Sequence, residues 1–355
     1  MNKKMIRIKD IAKLAGVSVG TVDRVIHKRG KVSEKAREKV ESVLQEIDYT
    51  PNLLAKTLGS NKVYTIALLV PHPGQDPYWK LSMTGLDIAQ KEWRPYHMEL
   101  QPYFFELENA KSFTAAAQQL LKDSPDAVVS APIFLHEAVD FFKQLDQLSI
   151  PYVHFNTMIS EVSPLSFIGQ DSYQSGRLGA SLLHLLTKDQ TGSPAILHIR
   201  ESVQHSVHFR EKERGFRDFF GAMSPSQTVT AITIEGNDMD TFEEKLIRGI
   251  KKHDIKGLFI PTSSGAKLTA NALEKNGLQH ISIVGYDLLK ENIDLLKNDK
   301  INFLIHQNPS RQLFRGIHHL ANHLLFKKSA PSKELFPLEV ITAENVDSYL
   351  EAVLH

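Results

Sequence analysis

From Tyr64 onward the chain repeats one pattern: a short run rich in β-branched and other apolar residues, an amphipathic stretch of helix length, then another run. The runs are Tyr64–Val70, Ala127–Ser130, Tyr152–Phe155, Ser166–Ile168, Ala195–Ile199, Thr228–Ile234, Gly257–Ile260, Ile281–Val284 and Asn302–Ile305, at intervals of about 20–40 residues. Strands separated by helices pair in parallel, so repeated units of this kind build doubly wound α/β sheets. Two such sheets side by side enclose a cleft, and ligand-binding groups collect where strands end.

The first 62 residues are different. They hold 14 Lys+Arg against 7 Asp+Glu, a net +7, whereas the whole chain is +1, so the other 293 residues carry −6. A basic head on a mildly acidic body fits a head that meets a polyanion, or a lysine-rich solvated face on a small helical domain. Composition narrows the class further. With 355 residues, 42% hydrophobic and 23% charged, the chain is globular and long enough for two or three domains, not disordered, collagenous or coiled-coil. It has no cysteine, which excludes disulfides, thiolate zinc sites and cysteine nucleophiles and fits a reducing compartment. The longest apolar run, about eight residues near Val63–Val70, is far short of a membrane span. Met1–Asp10 is charged and leads straight into folded-looking sequence, so no secretory leader is expected and the expected location is the cytoplasm.

Inside the head, Ile8, Ile11, Ala12 and Ala15 fall at helical spacing, and Gly16-Val17-Ser18 breaks the pattern. Ser18 is a suitable N-cap for a second helix with Val22, Val25 and Ile26 on its apolar side. After Gly30-Lys31-Val32, Ser33 opens a third helix whose stripe is Ala36, Val40, Val43, Leu44 and Ile47. Two short helices on a glycine turn with a third in support make a helix-turn-helix, in which the start of the second helix reaches base edges. Those residues are Ser18, Val19, Gly20 and Thr21, with Arg24 one turn later. Arg24 either reads guanine O6 and N7 with both guanidinium nitrogens or contacts phosphate. Thr21, Lys28, Arg29 and Lys31 read as phosphate contacts that position without specifying sequence.

The stretches from Ile8 to Ile26, Val32 to Val40 and Tyr49 to Leu58 together resemble the LacI/PurR family of transcriptional regulators, whose body is similar to periplasmic sugar-binding proteins. Asp23 stands where that family usually has serine. The resemblance implies an all-α helix-turn-helix DNA-binding domain over 1–50, a hinge helix and linker over 51–62, and a two-lobed α/β effector-binding and dimerisation domain over 63–355. The first lobe is expected at about 63–168 and 305–335, the second at about 169–304 and 336–355. It also implies that Leu54, Ala55 and Leu58 lie on a hinge that folds on DNA, with Leu58 wedged into the minor groove; a linker packed on the body is the alternative.

For the body, the resemblance carries ligand-site expectations onto residues at strand ends. Gln75-Asp76-Pro77-Tyr78-Trp79 matches a loop that supplies one polar contact and aromatics that sandwich a sugar ring, which suits the apolar face and hydroxyl rim of a sugar. Asp76, Tyr78 and Trp79 are the matching positions, with inter-subunit or core packing the alternative for Trp79. Asn156, Thr262, Asp287 and Gln307 match further ligand-side positions, with a structural hinge role the alternative for Gln307, and Asp171 is either a ligand contact or a helix cap. The family's effector-binding arginine falls on Lys212, with Arg210 as the other candidate.

The remaining signals favour ordinary roles. His319 with His323, and His205 with His208, lack an evident third metal ligand, and Gly236–Asp240 lacks the spacing of a calcium loop. Asp240 or Thr241 is expected to cap the helix that follows. There is no phosphate-cradling glycine loop, nucleophile elbow or His-Glu-x-x-His, and Asp76 with Asp287 is the only tempting acid–base pair, so neither an enzyme nor a cofactor is expected. The expected protein is a repressor of carbohydrate-utilisation genes, a homodimer on a near-palindromic duplex operator, controlled by a monosaccharide or derivative. A purine or other non-sugar effector, or a sugar-binding transport protein, is the alternative.

Overall fold

The computed structural model describes residues 8–26, 30–47, 62–200, 207–224, 228–235 and 241–354. They belong to two compact units, Met1–Asn61 and Lys62–His355. Lys28, Arg29, Leu54, Ala55, Leu58, His205 and the segment 236–240 lie outside the described residues.

The first unit holds α1 (Ile8–Ala15), α2 (Val19–Ile26) and α3 (Glu34–Glu46). Gly16 takes a left-handed φ of 61°, which a residue with a side chain adopts only at a cost, and this turns the chain between α1 and α2. Ser18 Oγ then accepts the Thr21 amide at 3.1 Å and satisfies one of the four amide donors left over at the start of α2. Ser33 stands at the N-cap of α3 in extended backbone but makes no side-chain cap bond. Ile11, Ala12, Ala15, Val22 and Val40 form the core, ringed by Ile8, Val17, Val25, Ile26, Val43, Leu44 and Ile47.

In the second unit the chain first lays down β1 (Tyr64–Pro71), α4 (Pro77–Trp93), β2 (Met98–Phe105), α5 (Ala110–Asp123), β3 (Ala127–Ser130), α6 (Leu135–Gln147), β4 (Tyr152–Phe155) and β5 (Ser166–Gly169). It then builds a second lobe from α7 (Ser172–Thr187), β6 (Ser193–Arg200), α8 (Val207–Met223), β7 (Thr230–Glu235), α9 (Phe242–His253), β8 (Ile255–Phe259), α10 (Gly265–Lys275), β9 (Ser282–Tyr286), α11 (Lys290–Lys297) and β10 (Phe303–His306). α12 (Pro309–Phe326) and β11 (Lys333–Leu335) return to the first lobe, and β12 (Glu339–Ile341) and α13 (Val346–Leu354) close the second.

The sheets run β11-β5-β4-β3-β1-β2 and β12-β10-β9-β8-β6-β7. Every pairing is parallel except β10 with β12. β1 and β6 each sit between the strand that follows and the one after that, so strand order reverses beside them and a crevice opens at their carboxyl ends. Parallel strands are covered by helices on both faces: Ile66, Leu68 and Val70 of β1 pack with Leu313, Ile317 and Leu320 of α12, while Ala67 and Leu69 face Phe113, Phe141 and Phe142 on the other side.

β2 went unanticipated because Met98–Phe105 alternates buried and exposed residues and contains Pro102, both marks of an edge strand and not of a buried parallel one. α7 and α8 cross at very close range: an ideal Cβ on Gly176 would stand 1.9 Å from Lys212 O, and one on Gly215 would stand 2.0 Å from Tyr173 O. This reciprocal pair of glycines fixes the height of Lys212 above the second sheet.

Candidate functional site

In the head, Val19 is 51% exposed, Gly20 and Arg24 are exposed, and Thr21 is half-buried. The Thr21 and Ser18 hydroxyls bond each other at 2.9 Å, so both side chains brace the start of α2. The groups that remain open on this face are an apolar side chain, a bare glycine and an arginine, a surface suited to thymine methyl and guanine edges.

In the body, the strand ends bring several of the expected residues together. Asp76 follows β1 and caps α4: its Oδ1 accepts the Tyr78 amide at 2.7 Å, with Pro77 at the first helical position. Its Oδ2 accepts the Ser264 hydroxyl of the second lobe at 3.2 Å. Asn156 follows β4 with φ 64°, and Asp287 follows β9 with φ 59°. Both are residue types that tolerate the left-handed region, and the conformation turns each side chain back across its strand end.

Asp287 is fully buried. It accepts the Ser263 hydroxyl at 2.5 Å, the Gln307 amide N–H at 2.9 Å and the Gln307 side-chain amide at 2.8 Å. Burial alone would raise its pKa, but His306 Nδ1 at 3.4 Å and the Ser263 and Gln307 donors outweigh it and hold the carboxyl below its usual range. Asp287 is therefore ionised and Asp76 is occupied with capping, so neither is set up as a general acid. Asn292 underpins the loop by donating to Ser263 O at 2.7 Å and Tyr286 O at 3.0 Å.

Tyr78 is buried, and its hydroxyl accepts from Asn156 Nδ2 at 2.5 Å. Burial, with the Asp287 and Asp76 carboxylates nearby, pushes the phenol well up, so it stays protonated. Lys212 is only 3% exposed, donates to Pro261 O at 3.3 Å, and lies 3.8 Å over the Tyr286 ring. Arg210, two residues earlier on α8, is exposed, because two residues turn a helix by about 200°. Trp79 is placed in the first lobe's core, edge-on to Phe155 and Tyr78. Thr262 is half-buried on the loop after β8, its hydroxyl buried without a hydrogen-bond partner among the described residues.

Asp171 caps α7 by accepting the Gln174 amide at 2.9 Å. Thr241 precedes α9 without a side-chain cap bond. His319 bonds Glu334 at 2.5 Å, and Glu334 also takes a two-pronged contact from Arg315 at 2.7 and 2.9 Å. Among the described residues no group of three or more His, Asp or Glu could hold a metal ion.

His208 was not singled out as a cleft residue by the sequence. It sits one turn before Lys212 on α8, and its Nδ1 is 3.2 Å from Thr157 Oγ1 of the first lobe. That hydroxyl already donates to Asn156 Oδ1 at 3.1 Å, so His208 Nδ1–H is the donor across the cleft. Burial, with the Lys212 ammonium beside it, pushes the imidazole down to about 3. Thr157–His208 and Asp76–Ser264 thus bond one lobe directly to the other. At the hinge, Gln170 Nε2 bridges the other two crossings by donating to His306 O and Pro337 O, both at 2.8 Å.

Comparison with known proteins agrees with this division. Residues 7–52 match the bacterial regulatory proteins of the lacI family, and residues 66–328 match the periplasmic binding protein domain. The chain is 28% identical over 288 residues to the ribose operon repressor of Halalkalibacterium halodurans, covering 80% of each. It is 24% identical to the sucrose operon repressor of Streptococcus mutans over 96% of this chain and 99% of that one. Among solved structures, one from Bacteroides fragilis assigned to the LacI transcriptional regulators superimposes with a TM-score of 0.76 at 28% identity, covering 81% of this chain and all of that one. A solute-binding protein from Agrobacterium vitis bound with α-D-tagatopyranose has a TM-score of 0.70 at 22% identity over 82% and 98% of the two chains, a likeness of fold.

Proposed function

Because the chain belongs to the LacI family of bacterial regulatory proteins, with a periplasmic binding protein domain as its body, we propose that it is a repressor of carbohydrate-utilisation genes whose operator affinity is set by a small sugar in the cleft. The observation that carries the effector reading is Asp287: a buried, ionised acceptor at a strand end, grouped with Asn156, the Tyr78 phenol and the Lys212 ammonium. Hydroxyl-rich ligands need such a set of fixed acceptors and donors beside an apolar wall. Tyr78 and Trp79 both pack in the first lobe's core, so the reading rests on the polar groups, with the Tyr78 hydroxyl among them. The relatives named as ribose and sucrose operon repressors support the same class.

The head reads duplex DNA through Val19, Gly20 and Arg24, with Thr21 and Ser18 fixing the helix start. Lys28 and Arg29 contact phosphate, and Leu54, Ala55 and Leu58 form the hinge that wedges into the minor groove. One helix-turn-helix covers too little DNA for specific affinity, so the protein acts in the cytoplasm as a symmetric dimer on a near-palindromic operator. In the effector site Asp76, Asn156, Lys212, Thr262, Asp287 and Gln307 bind the ligand with Tyr78. A sugar shifts operator affinity only by its differential affinity for the lobe arrangements, as linkage requires.

The test is thermal unfolding of the full chain with monosaccharides, sugar phosphates, uronic acids, polyols and purines. A ligand at a hundred times its Kd adds about 2.7 kcal/mol to stability. Stabilisation by a sugar supports the reading, and stabilisation by purines alone contradicts it.

A further inference from the structure

Gln312 is a glutamine on α12 with 1% of its surface exposed, flanked by the buried Leu313 in the first lobe's core. Burying an amide there is costly unless both ends are bonded. They are bonded to two different parts of the effector site. Nε2 donates to Gln307 O at 2.8 Å, on the crossing segment after β10 whose own amide and side chain hold Asp287. Oε1 accepts the Asn156 amide at 3.1 Å, a donor shared with Ile168 O at 3.0 Å in the β4–β5 pairing. Asn156 in turn donates to the Tyr78 hydroxyl and accepts from Thr157, which reaches His208. A hydrogen-bonded chain therefore runs Ser263–Asp287–Gln307–Gln312–Asn156–Tyr78, from one lobe through the hinge to the other. Thr157–His208 and Asp76–Ser264 bond one lobe directly to the other, whereas the Gln312 link runs through the crossing segment after β10.

We propose that Gln312 is a specificity-determining positioning residue, joining the crossing segment that holds Asp287 to Asn156 and Tyr78 so that the two halves of the effector site keep a fixed link through the crossing segment. This rests on the reading of the cleft as the effector site. Gln312 touches no ligand; it fixes the left-handed turn at Asn156 and so the position from which the Tyr78 hydroxyl meets a sugar.

The test is a double-mutant cycle in the full-length protein with Gln312→Met, which keeps volume and loses the amide, and Tyr78→Phe. Gln312→Glu replaces the first where methionine fails to give one cooperative unfolding transition. Calorimetric titration uses D-ribose, D-glucose, D-galactose and L-arabinose. Each single change is expected to weaken the best sugar about tenfold, and the pair only about threefold more than the worse single. A loss in the pair equal to the product of the singles overturns the proposal, since a general packing role adds independently. The same four proteins are unfolded in urea without sugar. Non-additive midpoints support the chain, and additive midpoints overturn it. If no sugar binds the wild type, the sugar reading fails, and the urea cycle decides the role of Gln312 by itself.

Discussion

At Asp287 the backbone conformation, the ionisation state and the bonding partners all serve one purpose: to keep a carboxylate charged in a buried position. Asp287→Asn replaces an acceptor oxygen with a donor that faces Ser263 and Gln307, both already donating. Sugar affinity measured by calorimetry is expected to fall about tenfold to a hundredfold, from the cost of unpaired buried donors. Unchanged affinity would remove Asp287 from the site. His154 makes a different point. It is fully buried beside Phe142, neither ring nitrogen has a hydrogen-bond partner among the described residues, and burial pushes it down to about 3. A base with a depressed folded pKa stays neutral in the native state and takes up a proton on unfolding. Its contribution is complete above its unfolded pKa of about 6.5 and is lost as pH falls toward 3. Between those values stability should fall by about 1.4 kcal/mol per pH unit from this residue, with His208 acting in the same direction. His154→Leu is expected to flatten the urea-derived pH dependence by that amount; an unchanged slope would place the titration elsewhere.

Elements position these residues, and they differ in how plainly the sequence shows them. β9 was legible as a short β-rich run at Ile281–Val284, and its aspartate because Val284-Gly285-Tyr286-Asp287 matches the strand-end aspartate of the family that the chain resembles. The start of α2 was legible because Ser18 caps it locally. The choice between Arg210 and Lys212 was open because it depends on the phase of α8 against the sheet, which the packing of α7 decides. His208 and Gln312 were hidden for a related reason: a polar residue on an amphipathic helix reads as surface until partners 51 residues away at Thr157, or 156 residues away at Asn156, are brought to it. The α7–α8 crossing yields its own prediction. Gly215→Ala sets a Cβ against the Tyr173 carbonyl, and the helices must separate. Overpacking of this kind is expected to cost about 3 kcal/mol in urea unfolding, with weaker sugar binding as Lys212 rises from Tyr286. A loss below about 0.5 kcal/mol would mean that the crossing is looser than the geometry states.

At the scale of the whole molecule, one chain joins a basic head to a mildly acidic, two-lobed body. The net +7 of residues 1–62 favours binding to any duplex, and under the proposed function a thin direct readout from Val19, Gly20 and Arg24 would leave much of the specificity to paired heads and the hinge. The central claim is the coupling: the sugar that the body holds must change how tightly the heads hold their operator. Fluorescence anisotropy tests it most directly, with full-length protein titrated onto a near-palindromic duplex obtained by binding-site selection, and onto a scrambled duplex, with and without the sugar that stabilises the protein. The account predicts operator binding about a thousandfold tighter than to the scrambled duplex, and a change of about tenfold or more on adding sugar. Equal affinity for the two duplexes, or an operator affinity that stays constant while sugar is bound, would contradict it.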